Sequence, residues 1–250
     1  MSVSKDDEIL FEKACNEMIH TEREKNGIGT LGEKTVHAVL KQFYEPDPAH
    51  QEIRIEHFVA DIFRGDEIIE IQTRAFHAMR KKLEVFLEKY PVTIVYPIIH
   101  TKWLYWIDES TGEVSKKRKS PKTGTACDAF YELYKIKSFL THPNLQLCLV
   151  LIDAEEYRLL NGWSRDRKKG STRYDRIPTK IVDEFFIRCK DKEDFSCMIP
   201  KDLPEPFTSK DFAKKGKISA TAAGRALNTL TYTGTVKRIG KKGNASLYVR

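Results

Sequence analysis

Asp61, Glu70 and Gln72 are the residues whose types and spacing point to chemistry. They lie in FVADIFRGDEIIEIQTR, residues 58–74, where two runs rich in β-branched side chains flank Gly65-Asp66. A two-residue connection with glycine first signals a tight hairpin. If Arg64 pairs with Glu67, the pairing runs outward through Phe63 with Ile68 and Ile62 with Ile69, and sets Asp61 opposite Glu70. Alternation then puts Ala60, Ile62, Ile69 and Ile71 on one apolar face and Asp61, Glu70 and Gln72 on the other. Two carboxylates facing each other across strands repel, which destabilises a sheet unless a cation or a shared proton lies between them. A divalent metal held by Asp61 and Glu70 is the simplest remedy. Mg²⁺ (or Mn²⁺) takes oxygen ligands of this kind, with the Ile71 carbonyl or the Gln72 amide oxygen available to complete the protein side.

At these residues the chain resembles the PD-(D/E)xK nuclease superfamily, whose core has an acid on one strand and Glu-x-Lys on the next. Asp61 matches the acid and Glu70-Ile71-Gln72 the second element, with Gln72 in place of lysine. Glu-x-Gln occurs in some restriction endonucleases of that superfamily. The family also tends to place a glutamate on the preceding helix, where Glu33 stands in LGEKTVHAVLKQFY. The resemblance implies a restriction-endonuclease-like core and Mg-dependent hydrolysis of phosphodiester bonds in DNA, with Glu33, Asp61, Glu70 and Gln72 as catalytic residues. Glu33 has a plainer role open to it, since Thr30 and Glu33 have the spacing of a capping box.

These residues need elements to hold them. Residues 4–25 read as an amphipathic helix with Ile9, Leu10, Ala14, Met18 and Ile19 on its apolar side, and a second helix buries Val36, Val39, Leu40 and Phe43. Gln51 to Glu56 alternates as the first strand of a meander that continues into the hairpin. Ala75 to Tyr90 is helical, with Phe76, Met79, Leu83, Phe86, Leu87 and Tyr90 inward and His77, Arg80, Lys81 and Lys82 outward. Pro91 ends it, and Val92 to Ile99 is a buried strand. Strand, helix and strand in succession imply a crossover, so the fold class is α/β with a mixed central sheet flanked by helices. Lys102 to Ile107 and the stretch after Thr111-Gly112 form another hairpin, Asp128 to Phe139 a helix, and Leu145 to Ile152 a further strand.

Charge is uneven along the chain. Residues 1–100 hold 13 Lys and Arg against 18 Asp and Glu, and residues 101–250 hold 30 against 18. A basic half beside an acidic half suits a nucleic-acid binder with a metal site. Lys116, Lys117, Arg118 and Lys119 form one basic run, with a solvated β-arm as the plainer alternative. Arg167, Lys168 and Lys169 lie in a stretch, residues 158–180, where basic side chains are mixed with Tyr157, Trp163 and Tyr174. That mixture suits backbone contact and base stacking, or a long loop anchored by its aromatics. From Phe207 the chain resembles a winged helix-turn-helix, giving a division into residues 1–203 and a small C-terminal winged-helix domain, 204–250. Its second helix, from Ser219 to Tyr232, buries Ala222, Ala226, Leu227 and Leu230 and offers Thr221, Arg225 and Asn228 to a groove, with Lys241 and Lys242 on the wing.

Other classes find less support. The five cysteines, at 15, 127, 148, 189 and 197, form no CxxC pair, and no histidines stand at zinc-ligand spacing. No GxSxG occurs. No apolar stretch reaches the length of a membrane span, and the acidic start does not read as a leader, so no membrane and a cytoplasmic location are expected. The expected activity is that of a metal-dependent DNA endonuclease. The alternative is a catalytically inactive nuclease-like protein that binds DNA or regulates, and Gln72 is the feature that favours it. A third reading makes the tail a partner-binding module. DNA is the expected partner, and a homodimer is allowed.

Overall fold

The apolar periodicities become a mixed α/β architecture. A computed structural model describes residues 3–26, 33–108, 110–160, 162–163, 169–170 and 174–250. Helices α1 (Lys5–Asn26) and α2 (Glu33–Tyr44) precede strands β1 (Gln51–Ile55), β2 (Phe58–Phe63) and β3 (Ile68–Ile71). A 3-10 turn, Phe76–Met79, leads into α3 (Arg80–Lys89), and β4 (Val92–Ile107) and β5 (Arg118–Lys119) follow. A further helical stretch contains α4 (Phe130–Leu133) and a 3-10 turn over Tyr134–Phe139, then β6 (Leu145–Leu159), β7 (Gly162–Trp163), β8 (Lys169–Gly170) and β9 (Tyr174–Arg188). The chain closes with α5 (Ser209–Gly216), α6 (Ala220–Tyr232), β10 (Lys237–Lys242) and β11 (Ala245–Val249).

The main sheet has strand order β1-β2-β3-β4-β6-β9, with β5 paired to β4. It is mixed because β2 and β3 are antiparallel whereas β3 and β4, joined through α3, run parallel. Ile68 to Ile71 pair with Val92 to Val95. Pro97 lies just beyond the last of these pairs, where its missing N–H takes nothing from the β3 ladder.

Several elements differ from the sequence reading. In α1 the buried stripe is Phe11, Ala14 and Cys15, while Ile9 and Leu10 are exposed. The i, i+3, i+4 spacing from Phe11 is the better helical face. Residues 92–99 and 102–107 are one 16-residue strand rather than two, since no turn residue interrupts them. Within the basic and aromatic stretch 158–180, residues 174–180 belong to β9, a 15-residue strand, rather than to a long loop. In α6 the buried row is Ala223, Ala226, Leu227, Thr229 and Leu230, so Ala223 replaces the expected Ala222. Among the described residues no helix is long and apolar enough to cross a membrane.

Two compact units are built from interleaved segments. One comprises residues 1–51, 99–124 and 150–184, and the other residues 52–98, 125–149 and 185–250. The second unit therefore contains both the hairpin and the tail. Its tail is fixed by packing: Phe207 is fully buried, exchanges two backbone hydrogen bonds of 2.9 Å with Tyr248, and stacks with it. Thr208 and Asp211 form a capping box that starts α5, and Ser219 caps α6. Phe212 meets Phe130 edge-on, and a side chain added at Gly216 would press on Pro200 at 3.2 Å.

The β2–β3 turn sets the register of the acids, and Gly65 sustains it at φ +94°. Gly65→Ala forces a side chain into that backbone region and is expected to cost about 1 kcal/mol in urea unfolding. A stability equal to or above the parent's would show that the turn does not hold this conformation.

Candidate active site

The hairpin pairs Ile62 with Ile69 and Phe63 with Ile68, and the Arg64 N–H donates to the Glu67 carbonyl at 3.1 Å across the Gly65-Asp66 turn. Ala60, Ile62, Ile69 and Ile71 are all buried, as the alternation requires. Asp61 and Glu70 come together next to the last pair. The Asp61 N–H donates to Glu70 Oε1 at 3.3 Å, and the Ile71 N–H donates to Asp61 Oδ2 at 2.8 Å. The Asp61 carboxylate thus takes a backbone donor of the neighbouring strand, which fixes its orientation.

The second face is not the open polar face that alternation alone suggests. Glu70 is 2% exposed, and every residue of β3 is buried. Lys82 enters there from α3. Its Nζ lies 2.5 Å from Glu70 Oε2, and its ammonium is 5.5 Å from the centre of the Phe86 ring. The sequence reading puts Lys82 on the outer face with His77, Arg80 and Lys81, and only those three are exposed. The signal that locates it is helical: Lys82 is three residues after Met79 and four before Phe86, both buried, so it belongs to the inward stripe. Its apolar stem covers the core while its charge reaches Glu70.

Gln72 does not join this cluster through its amide nitrogen, which donates to the Arg74 carbonyl. Its backbone N–H extends the ladder to the Val95 carbonyl at 2.9 Å. Glu33 opens α2, and its side chain lies outside the described residues. Among the described residues no group of three or more His, Cys, Asp or Glu side chains is placed to hold a metal ion. Asp61 and Glu70 are the two expected acids that the described residues bring together.

Electrostatics mark Glu70 as unusual. Burial is the largest influence and the Asp61 charge adds to it, so the Glu70 carboxyl is pushed up to about 7 although Lys82 draws it down. A buried acid at that value gains from any further positive charge placed beside it.

Residues 34–188 match a domain of unknown function, DUF8091, over more than half of the chain. The chain belongs to the DUF8091 family. The DUF8091 segment takes in Asp61, Glu70 and Lys82 and ends before α5. An uncharacterized protein of Treponema pallidum (strain Nichols) is 28% identical over 228 residues, covering 88% of this chain and 86% of that protein. No solved structure matches the chain.

Within the DUF8091 segment, Lys116, Lys117, Arg118 and Lys119 are all exposed. The expected hairpin forms: Val114 bridges Ile107, and Arg118 and Lys119 pair with Leu104 and Trp103. Lys117 bonds Glu155 at 2.7 Å and lies 4.9 Å from the Trp103 ring centre. Arg167 and Lys168 lie outside the described residues, as does the side chain of Lys169. Beyond the segment, Arg225 and Asn228 are not presented as an open row. The Arg225 guanidinium stacks 4.3 Å from the Tyr131 ring centre, and Asn228 Oδ1 accepts from Lys137 at 2.8 Å. Lys241 and Lys242 are exposed on β10.

The raised Glu70 value has a signed consequence. Between about 4.5 and about 7 the folded protein retains a proton that the unfolded chain has released, so this group makes stability fall as pH rises through that window. Glu70→Gln removes the slope. In metal-free urea unfolding, the variant is expected to gain on the parent between pH 4.5 and pH 8, and a shift in the parent's favour would mean that the Lys82 ion pair outweighs burial.

Proposed function

We propose that this protein is a metal-dependent DNA endonuclease with a restriction-endonuclease-like core and a winged-helix tail. The observation that carries the reading is the meeting of two carboxylates and a lysine ammonium on the polar side of the hairpin: Asp61, Glu70 and Lys82. This composition is that of the superfamily which the sequence resembles. The positive charge missing at Gln72 is supplied from α3 instead. The two-helix and hairpin order of residues 208–249, with its basic β10, supports the winged-helix part of the reading.

Mg²⁺ suits the donor set. It is commonly held through one or two carboxylates, with waters and substrate phosphate completing the shell, and the raised Glu70 carboxyl is that of an acid short of positive charge. Asp61 and Glu70 would hold the ion, which supplies an activated water and charge neutralisation on the phosphate. The chain's own part is preorganisation. Ile71 N–H fixes Asp61, and Asp61 N–H and Lys82 fix Glu70; the Lys82 ammonium would stabilise negative charge developing on a bound phosphate.

The test is incubation of the purified protein with plasmid, linear and branched DNA, in Mg²⁺, Mn²⁺ or chelator. Cleavage is expected with either metal and not with chelator. Asp61→Asn and Glu70→Gln should abolish it with the fold intact, and Lys82→Met should lower kcat by about 10² to 10³-fold. A second reading, an inactive DNA-binding scaffold, is favoured by the Lys82 ammonium, which already occupies Glu70 Oε2 where a metal would bind. Metal binding without cleavage of any DNA form would select it. Gln72→Lys separates the two further: gain of cleavage marks decayed chemistry, and loss marks Gln72 as a working group.

The tail is tested on its exposed wing, where substitution leaves the packing of α5 and α6 untouched. Lys241→Ala with Lys242→Ala should weaken DNA binding and flatten its salt dependence by about one unit for each phosphate that is no longer neutralised. Unchanged affinity at low salt would assign the tail to partner binding.

A further inference from the structure

The helical stretch FYELYKIKSF, residues 130–139, interleaves aromatic and basic side chains. Glu132, Leu133 and Ile136 are buried, while Tyr131, Tyr134 and Lys135, three and four residues apart, stay on the outer side. On α6, Arg225, Asn228 and Tyr232 recur at i, i+3 and i+7, again on one face. The structure brings the two rows together. The Arg225 guanidinium lies over the Tyr131 ring, 4.3 Å from its centre, and the Lys135 ammonium lies 4.6 Å from the same centre. Lys137 donates to Asn228 Oδ1 at 2.8 Å and stands 5.7 Å from the Tyr134 ring centre and 5.2 Å from that of Tyr232. Arg80, on α3, donates from Nε to the Lys135 carbonyl at 2.8 Å and so ties the row to a third element.

All of these residues belong to the compact unit of residues 52–98, 125–149 and 185–250, every residue of which is described. Packing leaves the three rings open: Tyr131, Tyr134 and Tyr232 are 51%, 41% and 45% exposed. Their neighbours leave the charge open as well. Glu132 is the one acid in residues 130–139 and α6 together, and it is buried. It is engaged by Lys135 at 2.6 Å and by the Phe76 N–H at 2.9 Å. Among the described residues Arg80, Lys137 and Arg225 form no ion pair with an acid. The patch thus combines exposed aromatic rings with cations that lack an anion.

We propose that Tyr131, Tyr134, Tyr232, Lys135, Lys137 and Arg225 form a binding surface for a single strand of DNA. A single strand carries a row of anionic phosphates beside base faces that are open to stacking, and cations set among exposed rings match both. A duplex keeps its base faces inside the stack, so it would use the cations and leave the rings idle. An acidic peptide would use the cations too, but offers no flat partner for three tyrosines. The rings also prepare the cations. Held over aromatic faces, Lys135, Lys137 and Arg225 have less side-chain freedom to lose when a phosphate arrives. The Arg225 guanidinium, itself over Tyr131, adds a plane on which a base can stack. That the strand is DNA rests on the nuclease reading; that it is single rests on the exposed rings. A nuclease with such a surface would engage DNA that carries a single-stranded arm.

Fluorescence anisotropy of a labelled oligothymidine, titrated with the full-length protein in chelator, tests the surface. Saturable, salt-dependent binding is expected. Tyr134→Ala and Tyr232→Ala should each weaken it about tenfold with an unchanged circular dichroism spectrum, and Tyr134→Phe should bind as the parent does, because the ring and not the hydroxyl stacks. Lys137→Gln should flatten the slope of log affinity against log salt by about 0.7, the share of one phosphate on a single strand. The alanine variants should leave binding of a blunt duplex unchanged, which separates this surface from the wing. Alanine variants that bind oligothymidine as the parent does, or that lose duplex binding equally, would overturn the proposal. So would displacement of the strand by polyglutamate as effective as that by unlabelled oligothymidine, which would assign the surface to an acidic peptide. Binding here needs no metal. Strand binding without cleavage of any DNA form in Mg²⁺ or Mn²⁺ would sink the nuclease reading alone, whereas cleavage by the parent with unchanged binding by the alanine variants would sink this surface alone.

Discussion

A carboxylate removed from water must either be neutralised or keep its proton, and the hairpin is arranged around that constraint at Glu70. One lysine reaches it, and one acid faces it. Lys82 attracts and Asp61 repels, and burial tips the balance so that the carboxyl is held near neutrality instead of being firmly ionised. The turn that brings Asp61 across from Glu70 and the helix stripe that turns Lys82 inward are thus two halves of one electrostatic arrangement. Neither would have this effect without the other.

Glu156 shows what the same side chain does when the balance is reversed. It is as buried as Glu70, yet three cations surround it and its carboxyl falls below the ordinary value. Burial alone therefore predicts nothing about the charge of a glutamate in this protein; the count and distance of the cations decide. Glu70 has one cation against it, and Glu156 has three.

Much of the local structure is legible in the sequence because short-range rules govern it. Gly65-Asp66 fixes a turn, a turn fixes a register, and strand alternation does the rest, so the Ile62–Ile69 pair and the neighbouring acids follow from residues 58–74 alone. Caps at Thr208 and Ser219 are readable for the same reason. What escapes depends on tertiary placement. Lys82 looks like an outward charge until its position between Met79 and Phe86 is counted, and Arg176 looks like loop until β9 exists to carry it. β9 itself is hidden by Pro178 and by charges spaced through its length, and the buried Glu156 cannot be told from an exposed glutamate without its neighbours on other strands.

The interleaving of the two compact units has a consequence for how the chain is made. The unit that contains Asp61 and Glu70 draws its last segment from residues 185–250. During synthesis at about 5 to 20 residues per second, the hairpin emerges on the order of ten seconds before that segment is complete. A hairpin can close in microseconds, but the unit it belongs to is incomplete throughout that interval. Completion of this unit must wait for distant sequence, which is the costly, high-contact-order way to fold. A nascent chain paused before residue 185 would present the two acids on an unfinished scaffold, so their surroundings are complete only once residues 185–250 have been added.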